Sequence, residues 1–104
     1  MKNFRYVYIL TSEADETHHY TGLTENLESR LKTHNRGHVP HTSKHLPWRI
    51  ETAIAFRSLE KAVEFEKYLK SHSGRAFAMK HFWDQIFSIY FIRVGGIPDL
   101  WIDL

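Results

Sequence analysis

One helical stretch of the chain carries side chains that could act on a phosphate. Between Tyr20 and His34, four residues recur at the spacing that places them on one helix face: Leu27, Arg30, Leu31 and His34. A face that only packs against a core would be apolar throughout, whereas this one includes a guanidinium and an imidazole. Arginine offers a fork of donors that matches phosphate oxygens, and histidine exchanges protons near neutral pH. We therefore expect this face to border a cleft.

The segment from Ser29 to Ile50 contains no acidic residue, although the net charge of the whole chain is only +2. Its basic residues are Arg30, Lys32, Arg36, Lys44 and Arg49, and four histidines lie among them: His34, His38, His41 and His45. Attraction to phosphate depends on local rather than total charge, so this segment is predicted to be a nucleic-acid surface. A solvated basic face without a partner is the alternative.

The loop inside this segment offers hydroxyl, ammonium and imidazole donors to a phosphate. The predicted nucleic-acid contacts are the loop residues His41, Thr42, Ser43, Lys44 and His45, with Lys32, Arg36 and Arg49 around them. Pairs of histidines four residues apart could also suggest zinc. Structural zinc sites typically include cysteine, and the chain has none, so the phosphate-contacting loop is the better interpretation.

Length and composition describe one small globular domain. A chain of 104 residues has room for one core, and 42% hydrophobic with 25% charged residues is typical of a folded domain. The absence of cysteine excludes disulfides and thiolate metal sites. No secretory signal is recognisable after Met1, and the longest apolar run, Ile86 to Ile92, is too short to span a bilayer. We expect a cytoplasmic protein with no membrane partner.

Hydrophobic patterns predict the elements that must position these groups. Strands are predicted at residues 6–11, 19–23 and 48–56. The first helix is predicted from near Asn26 to Gly37, with Thr24 or Asn26 as its cap. The others are predicted from Ser58 to a stop at Ser73-Gly74 and from Arg75 to Phe82. The fold class is α/β (α+β), with a small three-stranded, mainly antiparallel sheet flanked by helices. We place the domain at residues 1–83 and a C-terminal extension of uncertain structure at residues 84–104.

The second predicted helix carries a carboxylate at the border of its buried stripe. The apolar positions of that stripe are Leu59, Ala62, Val63, Phe65 and Leu69, and Glu66 lies on or beside it. A carboxylate is costly to bury unless it meets a cation or a metal. The pattern alone favours a border residue whose carboxylate reaches solvent.

Two short strands that each present a tyrosine, followed by a helix that presents an arginine, resemble the GIY-YIG nuclease domain. Tyr8 falls at the tyrosine of the first half-motif, and Tyr20 to Gly22 falls on the second, with threonine replacing isoleucine. Arg30 lies ten positions after Tyr20, where the family carries its catalytic arginine. The resemblance covers Phe4 to Phe82 and is greatest to small single-domain members, which are similar to the nuclease domain of the bacterial excision-repair C subunit.

The resemblance implies hydrolysis of DNA phosphodiesters by a single-metal mechanism, with a possible part in DNA repair. The implied catalytic residues are Tyr8, Tyr20, Arg30, His34 and Glu66. Glu66 would hold Mg²⁺ or Mn²⁺, and Arg30 would bind phosphate. The tyrosines would flank the attacking water, either of them serving as base or only orienting it, while His34 would relay protons or bind phosphate.

Several alternatives remain open at the level of the sequence. Glu64 and Glu60 are the competing metal ligands if the helix register differs. Tyr6 stands where the family has glycine, and Leu23 where the excision-repair relatives have lysine. The leading hypothesis is a metal-dependent DNA endonuclease, nonspecific or structure-selective. A non-cleaving nucleic-acid-binding module on the same fold is the alternative, and a protein-interaction domain is a weaker third.

Overall fold

The computed structural model of the protein describes residues 4–83. They form, in chain order, β1 (Arg5–Ser12), β2 (His19–Thr24), α1 (Leu27–Asn35), β3 (Trp48–Phe56), α2 (Leu59–Leu69) and α3 (His72–His81). The strands pair antiparallel in the order β2-β1-β3, which leaves β2 at an edge of the sheet. The predicted fold class is confirmed. The predicted extension at 84–104 lies outside the described residues, and none of the helices within 4–83 is long and apolar enough to cross a membrane.

The central strand β1 is buried on both faces, because its alternate residues point to opposite sides of the sheet. Val7 and Ile9 pack in a cluster with buried residues of α2 and α3. Tyr8 and Leu10 point the other way and pack with Trp48 and with half-buried leucines of α1. Burial of a side chain such as Ile9 stabilises the fold by roughly 2 kcal/mol. The helices therefore cover both faces of the sheet, and the edge at β2 lies between them.

Polar caps set the start of each helix. Asn26, Ser58 and Ser71 each accept, through a side-chain oxygen, from the backbone N–H of the third residue that follows. After α1, Gly37 adopts a φ of +78°, the left-handed conformation that glycine tolerates at the end of a helix. Of the two predicted caps, Thr24 and Asn26, the structure uses Asn26, and the predicted stop at Gly37 is confirmed.

The boundary between α2 and α3 differs from the prediction. Ser73-Gly74 does not end the second helix, because α2 ends at Leu69 and Ser71 caps a new helix whose first turn contains Gly74. A Cβ on Gly74 would lie 2.8 Å from the Cα of Leu69 and would overlap the backbone carbonyl of Tyr68. Glycine is thus needed for the close approach of α3 to the end of α2.

The predicted buried stripe of α2 is also shorter than expected. Ala62 and Leu69 are buried in the core, whereas Leu59 is 50% exposed. Leu59 is the first residue of the helix, and the buried cluster begins one turn later at Ala62. The stripe therefore packs on the core at Ala62, Phe65 and Leu69, and its first position extends beyond the core.

The register between β1 and β2 places Gly22 directly opposite Tyr8. The phenol ring of Tyr8 lies across this glycine, so a Cβ at Gly22 would be 2.9 Å from Cε2 and closer still to the hydroxyl. Carbon atoms do not approach so closely without displacement of one partner. The absence of a side chain at Gly22 therefore lets the phenol lie over the edge strand.

We expect Gly22→Ala to destabilise the fold by about 1–3 kcal/mol, the usual cost of overpacking. The added methyl group has to displace the Tyr8 ring, and urea unfolding would measure the loss. In a Tyr8→Leu background the same substitution should cost much less, because the ring is gone. An equal cost in both backgrounds would show that Tyr8 is not the reason for glycine at this position.

Candidate active site

The hydroxyl of Tyr8 lies at the centre of a hydrogen-bonded cluster between the sheet and α1. Its oxygen is 2.9 Å from Nε2 of His34 and accepts from Nε of Arg30 at 3.2 Å. The ring of Tyr20 packs beside them, with its centroid 6.3 Å from that of Tyr8 and 4.9 Å from that of His34. Neighbouring strands thus present both tyrosines on one face, and one turn of α1 supplies the arginine and the histidine.

His34 is fully buried, and its partners determine which ring nitrogen carries the proton. Nδ1 is 2.8 Å from Oγ1 of Thr42, and Thr42 donates its own proton to the carbonyl of Val39 at 3.3 Å. The threonine oxygen therefore accepts from Nδ1–H, which assigns the lone pair of a neutral imidazole to Nε2. Tyr8 donates to that lone pair. The hydrogen bonds run in one direction, from Arg30 to Tyr8 to His34 to Thr42.

The environment of the cluster sets its charges. Burial, reinforced by the nearby charge of Arg30, lowers the pKa of His34 from 6.5 to about 4. Burial also raises the pKa of Tyr8, against the opposing hydrogen bond from Arg30. The hydrogen bond to Tyr8 in turn raises the pKa of Arg30. At neutral pH, Tyr8 is a neutral phenol, His34 is a neutral imidazole and Arg30 is a cation.

Thr42 has a different place from the one predicted. We expected its hydroxyl to contact phosphate, but Thr42 is fully buried and its hydroxyl is engaged by His34 and Val39. Its carbonyl accepts from the indole N–H of Trp48 at 2.8 Å. Asn35 also pairs with the backbone of Trp48, at 2.7 and 3.0 Å. The loop after α1 is thereby fastened to β3, and Thr42 orients His34.

Glu66 approaches the same edge of the sheet from α2, on the opposite face. Its side chain is 16% exposed and forms an ion pair with Lys70, one turn later. The pKa of Tyr8 is set first by burial and then by the hydrogen bond and the charge of Arg30. The charges of Tyr20 and Glu66 are smaller causes, and both raise that pKa. The alternatives Glu60 and Glu64 are exposed, and Glu64 pairs at the surface with a lysine at 3.8 Å. Glu66 is therefore the most buried carboxylate of α2, and it is the one whose charge reaches the tyrosine cluster.

The donor set of this site suits a hard cation that keeps most of its waters. Within residues 4–83, no three His, Asp or Glu side chains are grouped to hold a metal ion. Magnesium in phosphoryl-transfer sites commonly takes one or two carboxylates and completes its shell with water and phosphate. The largely buried oxygen donor of Glu66 fits that requirement, whereas a closed structural metal site would not.

A groove of about 760 Å³ follows β2 and meets this site at Tyr20. Its polar walls come from β2, from α2 and α3, and from the loop after α1: His19, Tyr20, Thr21, His41, Lys70 and Arg75. Trp83 closes one side, and its ring stacks on that of His19 with centroids 3.8 Å apart. Arg75 and Trp83 carry no local sequence motif that would assign them to a site, because they come from the far end of the domain.

The basic residues predicted to bind nucleic acid are dispersed around the domain. Lys32 and Arg49 form surface ion pairs with acidic neighbours at 3.7 and 3.4 Å. His45 stacks on His18 with ring centroids 3.8 Å apart. Of the predicted set, His41 lines the groove. Three others are exposed without lining it: Arg36, Ser43 and Lys44.

The fold and this site define a small α+β domain with tyrosines on two neighbouring strands and an arginine on the helix that follows. The family model of the GIY-YIG catalytic domain matches residues 4–80, and the chain belongs to the GIY-YIG family. It is 36% identical over 74 residues to a UPF0213 protein of Bacillus licheniformis, covering 70% of this chain and 74% of that protein. UPF0213 proteins of two Streptococcus agalactiae strains are 33% identical over 72 residues, covering 68% of this chain and 80% of theirs.

Membership confirms the predicted family. GIY-YIG domains are nuclease domains, so the substrate class is nucleic acid, and such nucleases generally use a divalent metal ion. The names of the relatives state no substrate and no metal. The roles of the individual residues in this chain therefore have to be argued from its own geometry.

We expect the free energy of unfolding to decrease as the pH falls from about 6.5 towards 4. His34 titrates near 4 in the folded protein and near 6.5 when unfolded, so between these values the unfolded chain binds the additional proton. The full loss is about 3 kcal/mol and is complete below the folded pKa. Urea unfolding across this pH range would measure it.

A matched pair of variants isolates the contribution of His34. His34→Gln should flatten the pH dependence, whereas His38→Gln, at an exposed position of the same segment, should keep the slope of the parent protein. Identical slopes for the parent and for His34→Gln would contradict a buried, neutral imidazole.

Proposed function

We propose that this protein is a metal-dependent DNA endonuclease in which Tyr8, Tyr20, Arg30, His34 and Glu66 act together on a phosphodiester. The observation that carries the proposal is the placement of the Tyr8 hydroxyl between a guanidinium N–H and the lone pair of an imidazole. A phenol so held can accept a proton from a water molecule and give its own to the imidazole. A tyrosine that only packed in the core would need neither partner.

The proton transfers through Tyr8 have to be concerted. The pKa of Tyr8 lies above its ordinary value and that of His34 lies near 4, so transfer from the phenol to the imidazole is strongly unfavourable in the resting site. We infer that Tyr8 loses its proton to His34 only as it gains one from the attacking water. Arg30 keeps its hydrogen bond to the same oxygen and stabilises negative charge that develops there.

Arg30, Glu66 and Tyr20 supply the remaining parts of the reaction. Arg30 uses Nε for Tyr8, which leaves its terminal nitrogens as the donors to bind phosphate oxygens. Glu66 would hold the divalent ion, whose chemistry is to stabilise the charge of the leaving oxygen. Tyr20 lines the groove beside Tyr8 and would orient the water or the phosphate.

A second candidate is a nucleic-acid-binding module that does not cut. The ion pair between Glu66 and Lys70 favours it, because a carboxylate neutralised by lysine has no need of a metal. The hydrogen-bonded chain through Tyr8 favours the enzyme, because binding alone requires no such chain. Substitutions at these positions separate the two.

We expect Glu66→Gln to reduce DNA cleavage by about a hundredfold or more, the scale on which an electrostatic group of an active site acts. The amide keeps the size of the side chain and removes the charge that would hold the ion. Binding of DNA should stay unchanged or tighten, since a negative charge near the phosphate is lost. Plasmid nicking with saturating Mg²⁺ would measure cleavage.

Glu64→Gln is the control, because this carboxylate lies on the same helix and is exposed. It should cut like the parent protein. Full activity of a folded Glu66→Gln variant would remove the proposed metal ligand.

We expect Tyr8→Phe to reduce cleavage by about 10²–10⁴-fold, the usual contribution of a general acid–base group. The ring can still lie over Gly22, so the protein should fold, but no hydroxyl remains to pass on a proton. Tyr6→Phe removes a hydroxyl from the same strand outside the cluster and should leave cleavage unchanged. Nicking by Tyr8→Phe at the parental rate would rule out the proton path through this residue.

A further inference from the structure

The ion pair between Glu66 and Lys70 joins a largely buried carboxylate to a residue that lines the groove. The Glu66 side chain is 16% exposed and lies near the Tyr8 cluster, whereas the Lys70 side chain is 50% exposed. Lys70 lines the groove along β2, together with Arg75 of α3. The residue that neutralises the candidate metal ligand is therefore also part of the wall of the groove in which nucleic acid would lie.

The two partners differ in how easily they can part. A largely buried carboxylate requires a counter-charge, and Lys70 supplies it here. Lysine is a compact charge on a flexible stem, and this one is half-exposed at the C-cap that follows α2, so its ammonium can move without disturbing the helix. A divalent cation brings twice the charge to the same oxygens and competes directly with the ammonium.

We propose that Lys70 is a tethered counter-ion, which neutralises Glu66 until a divalent cation takes the carboxylate and then turns its ammonium into the groove to contact a phosphate. The inference rests on the proposed function, because it requires Glu66 to bind the cation. Cation binding would raise the local charge by about two units and at the same time free a phosphate donor. The released lysine would join Arg75 and His41, which already line the groove.

The first test measures metal binding without nucleic acid or catalysis. We expect Lys70→Gln to bind Mn²⁺ about three- to fivefold more tightly than the parent protein, by electron paramagnetic resonance titration, because a competing cation is removed. Lys61→Gln is the matched control, since its pair with Glu64 on the same helix is exposed on both sides and should not affect Mn²⁺. Lys70→Met, which keeps the stem without the charge, should behave like Lys70→Gln.

The second test asks whether Lys70 contributes to DNA affinity mainly after a cation has displaced it from Glu66. DNA binding would be followed by fluorescence anisotropy in a Tyr8→Phe background, with and without Mn²⁺. We expect Lys70→Gln to weaken binding by about three- to tenfold with Mn²⁺ and by clearly less without it, because Glu66 holds Lys70 when no cation is present. Lys61→Gln should match its parent in both conditions.

The outcomes separate this inference from the proposed function. If Glu66→Gln loses Mn²⁺ but Lys70→Gln binds it no more tightly than the parent, Lys70 is no competitor and only this inference fails. If Mn²⁺ binding by the parent protein does not depend on Glu66, both this inference and the proposed function fail. If Lys70→Gln loses the same DNA affinity with and without Mn²⁺, Lys70 contacts DNA whether or not a cation is bound, and its proposed release from Glu66 is contradicted.

Discussion

The phenol of Tyr8 connects the central strand, the edge strand and α1. Its ring fills the space over Gly22, and its hydroxyl lies between Arg30 and His34. Tyr8 is only 2% exposed, so its hydroxyl has to find partners within the protein. That requirement explains why α1 turns an arginine and a histidine towards the sheet, at positions where a simple core helix would carry apolar residues. Gly22 on β2 belongs to the same arrangement, because the absence of a side chain there leaves room for the Tyr8 ring.

The support for His34 extends the network to the third strand. Thr42 fixes the imidazole, and the indole N–H of Trp48 donates to the backbone carbonyl of Thr42. A chain of neutral groups thus runs from a cation, Arg30, through Tyr8 and His34 to Thr42. Because these groups are shielded from solvent, small changes of charge act strongly on the proton positions. The charge arrangement near β2 therefore matters more to function than the net charge of the chain.

Features that depend on neighbours along the chain were predictable from the sequence, and features that depend on distant contacts were not. The strands and a helix cap at Thr24 or Asn26 follow from local patterns, and the structure contains the strands and uses Asn26. The face of α1 that is expected to border a cleft packs towards the sheet instead: His34 is fully buried, and none of the four residues of this face lines the groove. Thr42 was misjudged because a hydroxyl among basic loop residues has the same local signature whether it meets phosphate or a buried histidine. Gly74 was misjudged because its role is the contact of α3 with the end of α2. The groove combines residues from β2, α2, α3 and two loops, which no sequence spacing could bring together.

The position of the proton on His34 decides whether Tyr8 can pass a proton to it. Nitrogen NMR of the imidazole ring in selectively labelled protein at neutral pH would locate that proton directly. We expect a neutral ring with the proton on Nδ1, a hydrogen-bonded lone pair on Nε2, and a shift of the Nε2 signal in Tyr8→Phe. A ring protonated on Nε2, or an imidazolium at neutral pH, would contradict the proton path through Tyr8.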